Sequence, residues 1–393
     1  MYSLLTGIRV LDFSAYVTDV VGCHFADMGA EVIKVEPPGR GSLSRLVEPY
    51  VMHLARNKKS LAINLKDDEA KTVLARLVKE SDVIIDALRS GALDELGFGY
   101  DDVCKLNPKI VYLSVSGWGQ TGPYRRLPSH GQSFDTFSSV EPISFEDGEP
   151  RSVFNSSHEL AGQMGCSFGV IAALAAIINM QKTGKGAHID VSEGEAGAWY
   201  FWSAAYDLLN KPESEREFIP PSIKQEDART RYRVYPTKDG SAIFLQALEK
   251  KFWVNFCNAI ERPDLAERGD WKWGLDAGAY EGEYEELVEI FKTRTQQDWL
   301  ELFIEHDVAG GPTNSLVNLL KDPHFLSREP YVEVDDFNTG EKRKMLGTPV
   351  KIKDAEFKPN NPPALGRDTD ELLKQVGYSD DEVKAFHEKG LVQ

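Results

Sequence analysis

Short apolar runs alternate with amphipathic stretches through the first third of the chain, and this rhythm restricts the fold more than any other feature. Gly7–Phe13, Glu31–Glu36, Ser60–Leu65, Asp82–Leu88 and Ile110–Ser116 each read as a strand. A helix running to about Met28 follows the first, and Asp67–Glu80 carries helical periodicity between the third and fourth. Strands and helices alternating at this spacing predict an α/β fold with a large, Rossmann-like open parallel sheet. Such a sheet takes its ligand at the carboxyl ends of its strands. No Gly-x-Gly-x-x-Gly follows the first strand, so a nicotinamide dinucleotide is not expected.

Further on, a small-residue helix is predicted from Ser157 to Gln181. The turn Thr183-Gly184-Lys185-Gly186 then leads into a strand at His188–Val191. Residues 211–230 are polar and charged and read as a linker, which makes 1–210 the first part of a large domain. A smaller α+β domain at 231–325 begins with a hairpin, Tyr232–Tyr235 and Ala242–Leu245. Helices follow at Glu249–Ile260, Tyr284–Thr293 and Gln296–His306, and Ala309-Gly310-Gly311-Pro312 closes that segment. The chain ends in two helices, with Asp368 and Ser379 as expected N-caps. A length of 393 residues suits two domains better than one.

The net charge of −17 argues against nucleic acid or an anionic membrane as partner, while leaving room for an anion in a locally basic pocket. Cys23, Cys104, Cys166 and Cys257 are isolated and lack metal-ligand spacing. They are expected to be reduced and mostly buried, as in a cytoplasmic protein, and no metal site is predicted. The first residues lack the basic and apolar regions of a signal peptide. Gly165–Met180 is apolar but too short to span a bilayer, and is expected to be a buried helix.

The stretch Ser156-Ser157-His158-Glu159-Leu160-Ala161-Gly162 stands where the long helix is predicted to start. Ser156 with Glu159 three residues on is a capping-box pattern: the hydroxyl meets the Glu159 amide and the carboxylate reaches back. Unpaired amides and the positive end of the helix dipole make such a start an anion site.

Gly7–Phe13, Gly29–Gly39, Arg56–Ser60, Gly91–Gly97, Ser116–Pro123, Thr183–Gly186, Asp322–His324 and Leu365-Gly366 follow one another along the chain. In this order they resemble the family III CoA-transferases, which include formyl-CoA transferase, crotonobetaine CoA-transferases and α-methylacyl-CoA racemases. The resemblance implies a large α/β domain, a smaller second domain, and a return of residues 326–393 to the large one. It also implies an interlocked dimer of ring-like chains, with a coenzyme A thioester as substrate and no prosthetic group. Members move CoA between carboxylic acids through an aspartyl anhydride and an aspartyl thioester. The chemistry is coherent: a carboxylate can become an acyl carrier, and helix amides stabilise the oxyanion.

The family's aspartate lies four residues before a glycine at the start of the long helix, which is His158 counted from Gly162. Histidine cannot form a carboxylic anhydride, and Glu159 lies about 100° further round a helix. Other family features are replaced too. Asp19-Val20 stands for Gly-Pro after the first strand, Ala87-Leu88 for Asn-Phe after the fourth, and Glu95 for a basic residue. No glycine occurs between Asn210 and Gly240, where a catalytic loop is expected.

The chain therefore resembles the aspartate-less subunit of a heteromeric member such as benzylsuccinate CoA-transferase. Its expected partner is a homologous Asp-bearing subunit, in a heterodimer or 2:2 heterotetramer. The expected substrates are an acyl-CoA, succinyl-CoA foremost, and an organic acid. One alternative is a self-sufficient homodimer using Glu159 or His158. Another is an acyl-CoA racemase or isomerase, in which His130 could act as acid or base with Glu159. Asp135 of Phe134-Asp135 matches an aromatic-Asp pair of relatives. Lys34, Arg40, Arg56 and Lys58, with Arg45 and Lys59, form a basic set near predicted strand ends and are the expected contacts for CoA phosphates.

Overall fold

The apolar runs become six parallel strands. In the computed structural model, which describes residues 1–152, 159–216, 230–278 and 280–393, they are β1 (Arg9–Asp12), β2 (Glu31–Glu36), β3 (Lys59–Ala62), β4 (Val83–Asp86), β5 (Val111–Ser116) and, after the hairpin β6 (Ile143–Glu146) and β7 (Glu149–Ser152), β8 (Ala187–Ser192). Their order across the sheet is β3-β2-β1-β4-β5-β8. The strand order reverses at β1, which lies between β2 and β4, so the crevice beyond the carboxyl ends of β1 and β4 is where such a sheet takes a ligand.

Both faces of this sheet are covered, which explains why its strands read as near-continuous apolar runs. The connecting helices are α1 (Asp19–Asp27), α2 (Glu48–Leu54), α3 (Asp68–Lys79), α4 (Ala92–Glu95), α5 (Tyr100–Leu106), α6 (Gly131–Phe137), α7 (Leu160–Thr183), α8 (Glu193–Trp199) and α9 (Trp202–Leu209). Val10, Val32, Val83, Val111 and Leu113 face α1 and α7, packing with Phe25, Ala173 and Ile177. Leu11, Ile33, Leu61 and Ile84 face the other way, toward α3 and the two C-terminal helices Thr369–Gln375 and Asp380–Glu388, through Leu74, Leu77, Leu372 and Phe386.

The helix α7 is long and apolar enough to cross a membrane, yet it lies along β5 as one layer of this core. A methyl on its Gly169 would stand 3.2 Å from Val115 and 3.4 Å from Leu113, so glycine there lets helix and sheet touch. The outer side of α7 and its neighbours is apolar and open: Ile171, Ile178, Trp199, Trp202, Tyr206 and Leu209 are all exposed.

Residues 1–216 and 330–393 form one unit, and 217–329 a second. The C-terminal return protects the edge strand β3. The Ser60 amide donates to the Asp368 carboxylate at 2.8 Å and the Ala62 amide to Thr369 Oγ1, while Gln393 donates to the Ala62 carbonyl. Asp368 is thus used across the sheet edge and does not cap its own helix, whereas Ser379 caps as expected. In the second unit the hairpin Tyr232–Pro236 and Ala242–Gln246 is joined by an edge strand, Gly310–Pro312. Beneath it Arg231 pairs with Glu283 at 2.7 Å, both fully buried, with the guanidinium stacked between Trp253 and Trp271.

Candidate active site

The carboxyl end of β1 opens onto a buried network of charges. Asp12 ends the strand, and Lys58, from the start of the β3 segment, donates to Asp12 Oδ2 at 2.8 Å and to the Asp19 carbonyl at 3.1 Å. Lys34 of β2 meets Asp19 Oδ1 at 2.5 Å, and Ser14 donates to the same oxygen at 2.8 Å. Ser44 donates to the other Asp19 oxygen. Gly22 of α1 makes room, because a Cβ there would stand 2.8 Å from Lys58 Nζ and closer still to Asp12. Burial alone would raise the Asp19 pKa, but Lys34 and Lys58 outweigh it and hold the carboxyl well below the usual carboxylate range. Burial lowers and Asp12 and Asp19 raise the Lys58 pKa, with the carboxylates prevailing.

Arg56 is likewise engaged inside the protein. It forms a two-pronged bond to Asp27, 3.0 and 2.6 Å, and donates to the His53 carbonyl. Arg45 grips Glu36 in the same manner, both bonds 2.7 Å. The expected phosphate contacts Lys34, Arg56 and Lys58 are therefore buried and neutralised by Asp19, Asp27 and Asp12. Of the four, Arg40 alone is exposed and without an ion pair among the described residues.

At the mouth of α7 the charges do not balance. The helix begins at Leu160, not Ser157, and Asp135 of α6 caps it, accepting from the Leu160 amide at 3.2 Å and the Ala161 amide at 2.7 Å. This differs from the expected capping box. Ser156 and the expected site residue His158 lie outside the described residues, and Glu159 occupies the N-cap with a left-handed backbone, φ 51° and ψ 45°. From there Glu159 folds over the first residue of α6: a Cβ on Gly131 would stand 2.7 Å from Glu159 Oε1. The two helix starts thus hold each other, Asp135 reaching to α7 and Glu159 lying back on α6.

His130, exposed just before α6, is near enough for its charge to act on Glu159. Burial and then Asp135 push the Glu159 pKa up, with His130 opposing. Tyr50 of α2 is raised by burial and by Glu159, and its ring packs edge-on to Tyr16 in the loop after β1.

A third carboxyl was not singled out from sequence. Glu193, the first residue of α8, is 3% exposed and lies against the start of α7, with Oε2 3.5 Å from where a Gly162 Cβ would be. Burial, Glu159 and Asp135 together push its pKa up to about 7. A signal was available: Ser192-Glu193-Gly194 directly follows a parallel strand, and ligand-facing residues sit at such ends. The structure thus sets Asp135, Glu159 and Glu193 around the start of α7 with His130 nearby, and places Lys34, Arg56 and Lys58 in internal pairs. Among the described residues no group of three acidic, His or Cys side chains is arranged to hold a metal ion.

The sheet order, the helix start beyond it and the C-terminal return define a mixed α/β fold built on a six-stranded parallel sheet. A sequence model described as CoA-transferase family III matches residues 5–369, and the chain belongs to that family. It is 28% identical to the succinyl-CoA–D-citramalate CoA-transferase of Chloroflexus aurantiacus, over 99% of this chain and 98% of that one. The same identity links it to the beta subunit of that organism's succinyl-CoA–L-malate CoA-transferase (99% and 98% covered) and to the alpha subunit (99% and 92%). The fold matches the crystal structure of Rv3272 from Mycobacterium tuberculosis with a TM-score of 0.77 and 24% identity, over 94% and 99% of the two chains. The protein is a family III CoA-transferase chain, and CoA thioesters are the substrates of that class.

Proposed function

We infer that this chain is the non-catalytic subunit of a CoA-transferase that moves CoA from succinyl-CoA to an organic acid, with a homologous subunit supplying the nucleophilic aspartate. One observation carries the reading: Asp135, the aspartate at the α7 mouth, is 1% exposed and has both oxygens committed to helix amides. A carboxylate so held is shielded from attack on a thioester, because its lone pairs are engaged and acyl-CoA cannot reach it. Glu159 lies back over α6, and by count the family's aspartate position is His158. With Lys34, Arg56 and Lys58 paired internally, Arg40 is the better candidate for a CoA phosphate.

Support for a heteromer comes from two sides. Relatives include the alpha and beta subunits of one transferase. The open apolar face of α7–α9 suits burial against a second chain.

The test is exchange of labelled succinate into succinyl-CoA, by this chain alone and when co-expressed with an Asp-bearing homologue. Exchange by the isolated chain should fall short of the pair by about 10³-fold or more. Comparable exchange by the isolated chain, lost in Glu159→Ala, overturns the reading in favour of a self-sufficient enzyme. Deuterium entering an α-carbon without exchange would instead mark an isomerase, with His130 and Glu159 as the pair to mutate.

A further inference from the structure

Beyond the carboxyl ends of β5 and β8, the last two strands in the sheet order, the chain shapes a cavity of about 210 Å³. The rings of Trp118, Tyr124 and Phe137 form its apolar wall, and Asp190, Glu195 and Thr121 its polar wall. Packing fixes this frame. Trp118 meets Tyr124, Phe134 and Phe137 edge-on, with ring centroids 5.8, 5.2 and 5.0 Å away. The close approach needs glycine: a Cβ on Gly117 would stand 2.0 Å from the Phe134 ring, and one on Gly194 3.0 Å from Phe137. Asp190 of β8 is held by the Gln120 amide, which reaches both of its carboxylate oxygens at 3.0 Å.

The cavity is charged in one sense only. Among the described residues no lysine or arginine lines it, and neither Asp190 nor Glu195 forms an ion pair. Arg125, in the same loop, donates to the Gln120 carbonyl at 3.4 Å. His188, two residues before Asp190 on β8, is bonded to Ser114 through Nε2 and stacked on Tyr100. One amide leaves most lone pairs of the Asp190 carboxylate open, and those of Glu195 accept from no described residue.

We propose that this cavity binds a primary alkylammonium ion, its stem against Trp118, Tyr124 and Phe137 and its head on Asp190 and Glu195. Such an ion matches both walls at once. A short alkyl stem covers exposed ring surface, as the stem of a lysine does, while three N–H donors meet open carboxylate oxygens in charge-assisted hydrogen bonds. The chain's net charge of −17 favours the approach of cations in general. A bare metal ion fits less well, since among the described residues no three ligating side chains converge. Carboxylic acids and phosphates would meet two like charges here.

This goes beyond the assignment of a non-catalytic subunit and does not depend on it, because it is tested by binding and not by turnover. The probe is n-butylammonium, titrated calorimetrically into the assembled protein at pH 7 and low salt. Saturable binding at one ion per chain is expected, with a Kd on the order of 1 mM, weakening as salt is added. Asp190→Asn and Glu195→Gln should each weaken it about threefold or more, and Tyr124→Ala by a similar factor. Both carboxylates are exposed, and the amide of Asp190→Asn can still accept from Gln120, so the fold should survive these changes. Butanol, which has the stem without the charge, should bind far more weakly. No saturable binding, equal affinity for butanol, or unchanged affinity in the double variant Asp190→Asn/Glu195→Gln overturns the proposal. So does tighter binding of tetramethylammonium, which has no N–H to donate.

Discussion

Two clusters of buried charge lie at the same end of the sheet, and they obey opposite arithmetic. At the end of β1, Asp12 and Asp19 face Lys34 and Lys58, with Ser14 and Ser44 donating to the remaining oxygens. At the mouth of α7, Asp135, Glu159 and Glu193 gather without a lysine or arginine partner among the described residues, and only helix amides and His130 offset them. In the first cluster the lysines hold the Asp19 carboxyl ionised. In the second, burial and mutual repulsion push the pKa of Glu159 up, and that of Glu193 up to about 7. A buried charge persists where it has a partner, and where it lacks one the group changes its protonation instead.

Removing one charge from each cluster should therefore act in opposite directions. Lys58→Met leaves two buried carboxylates with a single cation and should lower unfolding free energy by about 3–5 kcal/mol in denaturant titration. A neutral effect would show the network to be dispensable. Glu193→Gln should instead stabilise. The folded pKa of about 7 lies above the ordinary value of 4.5, so the folded state holds the extra proton between these values and loses stability as pH rises through them. The gain from Glu193→Gln should thus be near zero below pH 4.5 and grow to on the order of 3 kcal/mol by pH 8. A gain independent of pH would contradict the assignment.

Smaller effects probe the crossed helix starts. Gly131→Ala drives a methyl into the Glu159 carboxyl and should cost about 1–3 kcal/mol. In a Glu159→Ala background most of that loss should disappear, which a double-mutant cycle measures directly. Asp135→Ala removes the cap from α7 and should cost about 1–2 kcal/mol. It should also lower the pKa of Glu193, which carbon-13 NMR of the carboxyl would follow.

The sheet was legible because doubly covered parallel strands must be apolar throughout, and β2 falls on the Glu31–Glu36 run residue for residue. The roles of the basic residues were not. Lys58 finds Asp12 across 46 positions of sequence, and Asp368 finds Ser60 across 308, so a cation close to a strand end reads equally as a phosphate contact or an internal partner. The start of α7 was misplaced because Ser156 and Glu159 have capping-box spacing, while the residue that caps the helix, Asp135, comes from another helix. That helix, α6, is seven residues long and opens with glycine, so it leaves little helical signal in the sequence. Glu193 escaped notice because nothing local in Ser192-Glu193-Gly194 reveals the carboxyls that the fold brings beside it.

The account turns on whether any side chain of this subunit accepts an acyl group. Intact-protein mass spectrometry after a brief exposure to succinyl-CoA, with peptide mapping of the product, asks this directly. We expect this chain to keep its unmodified mass while an Asp-bearing companion gains covalent coenzyme A. A coenzyme thioester mapped to Glu159 or Glu193 of this chain would contradict the account.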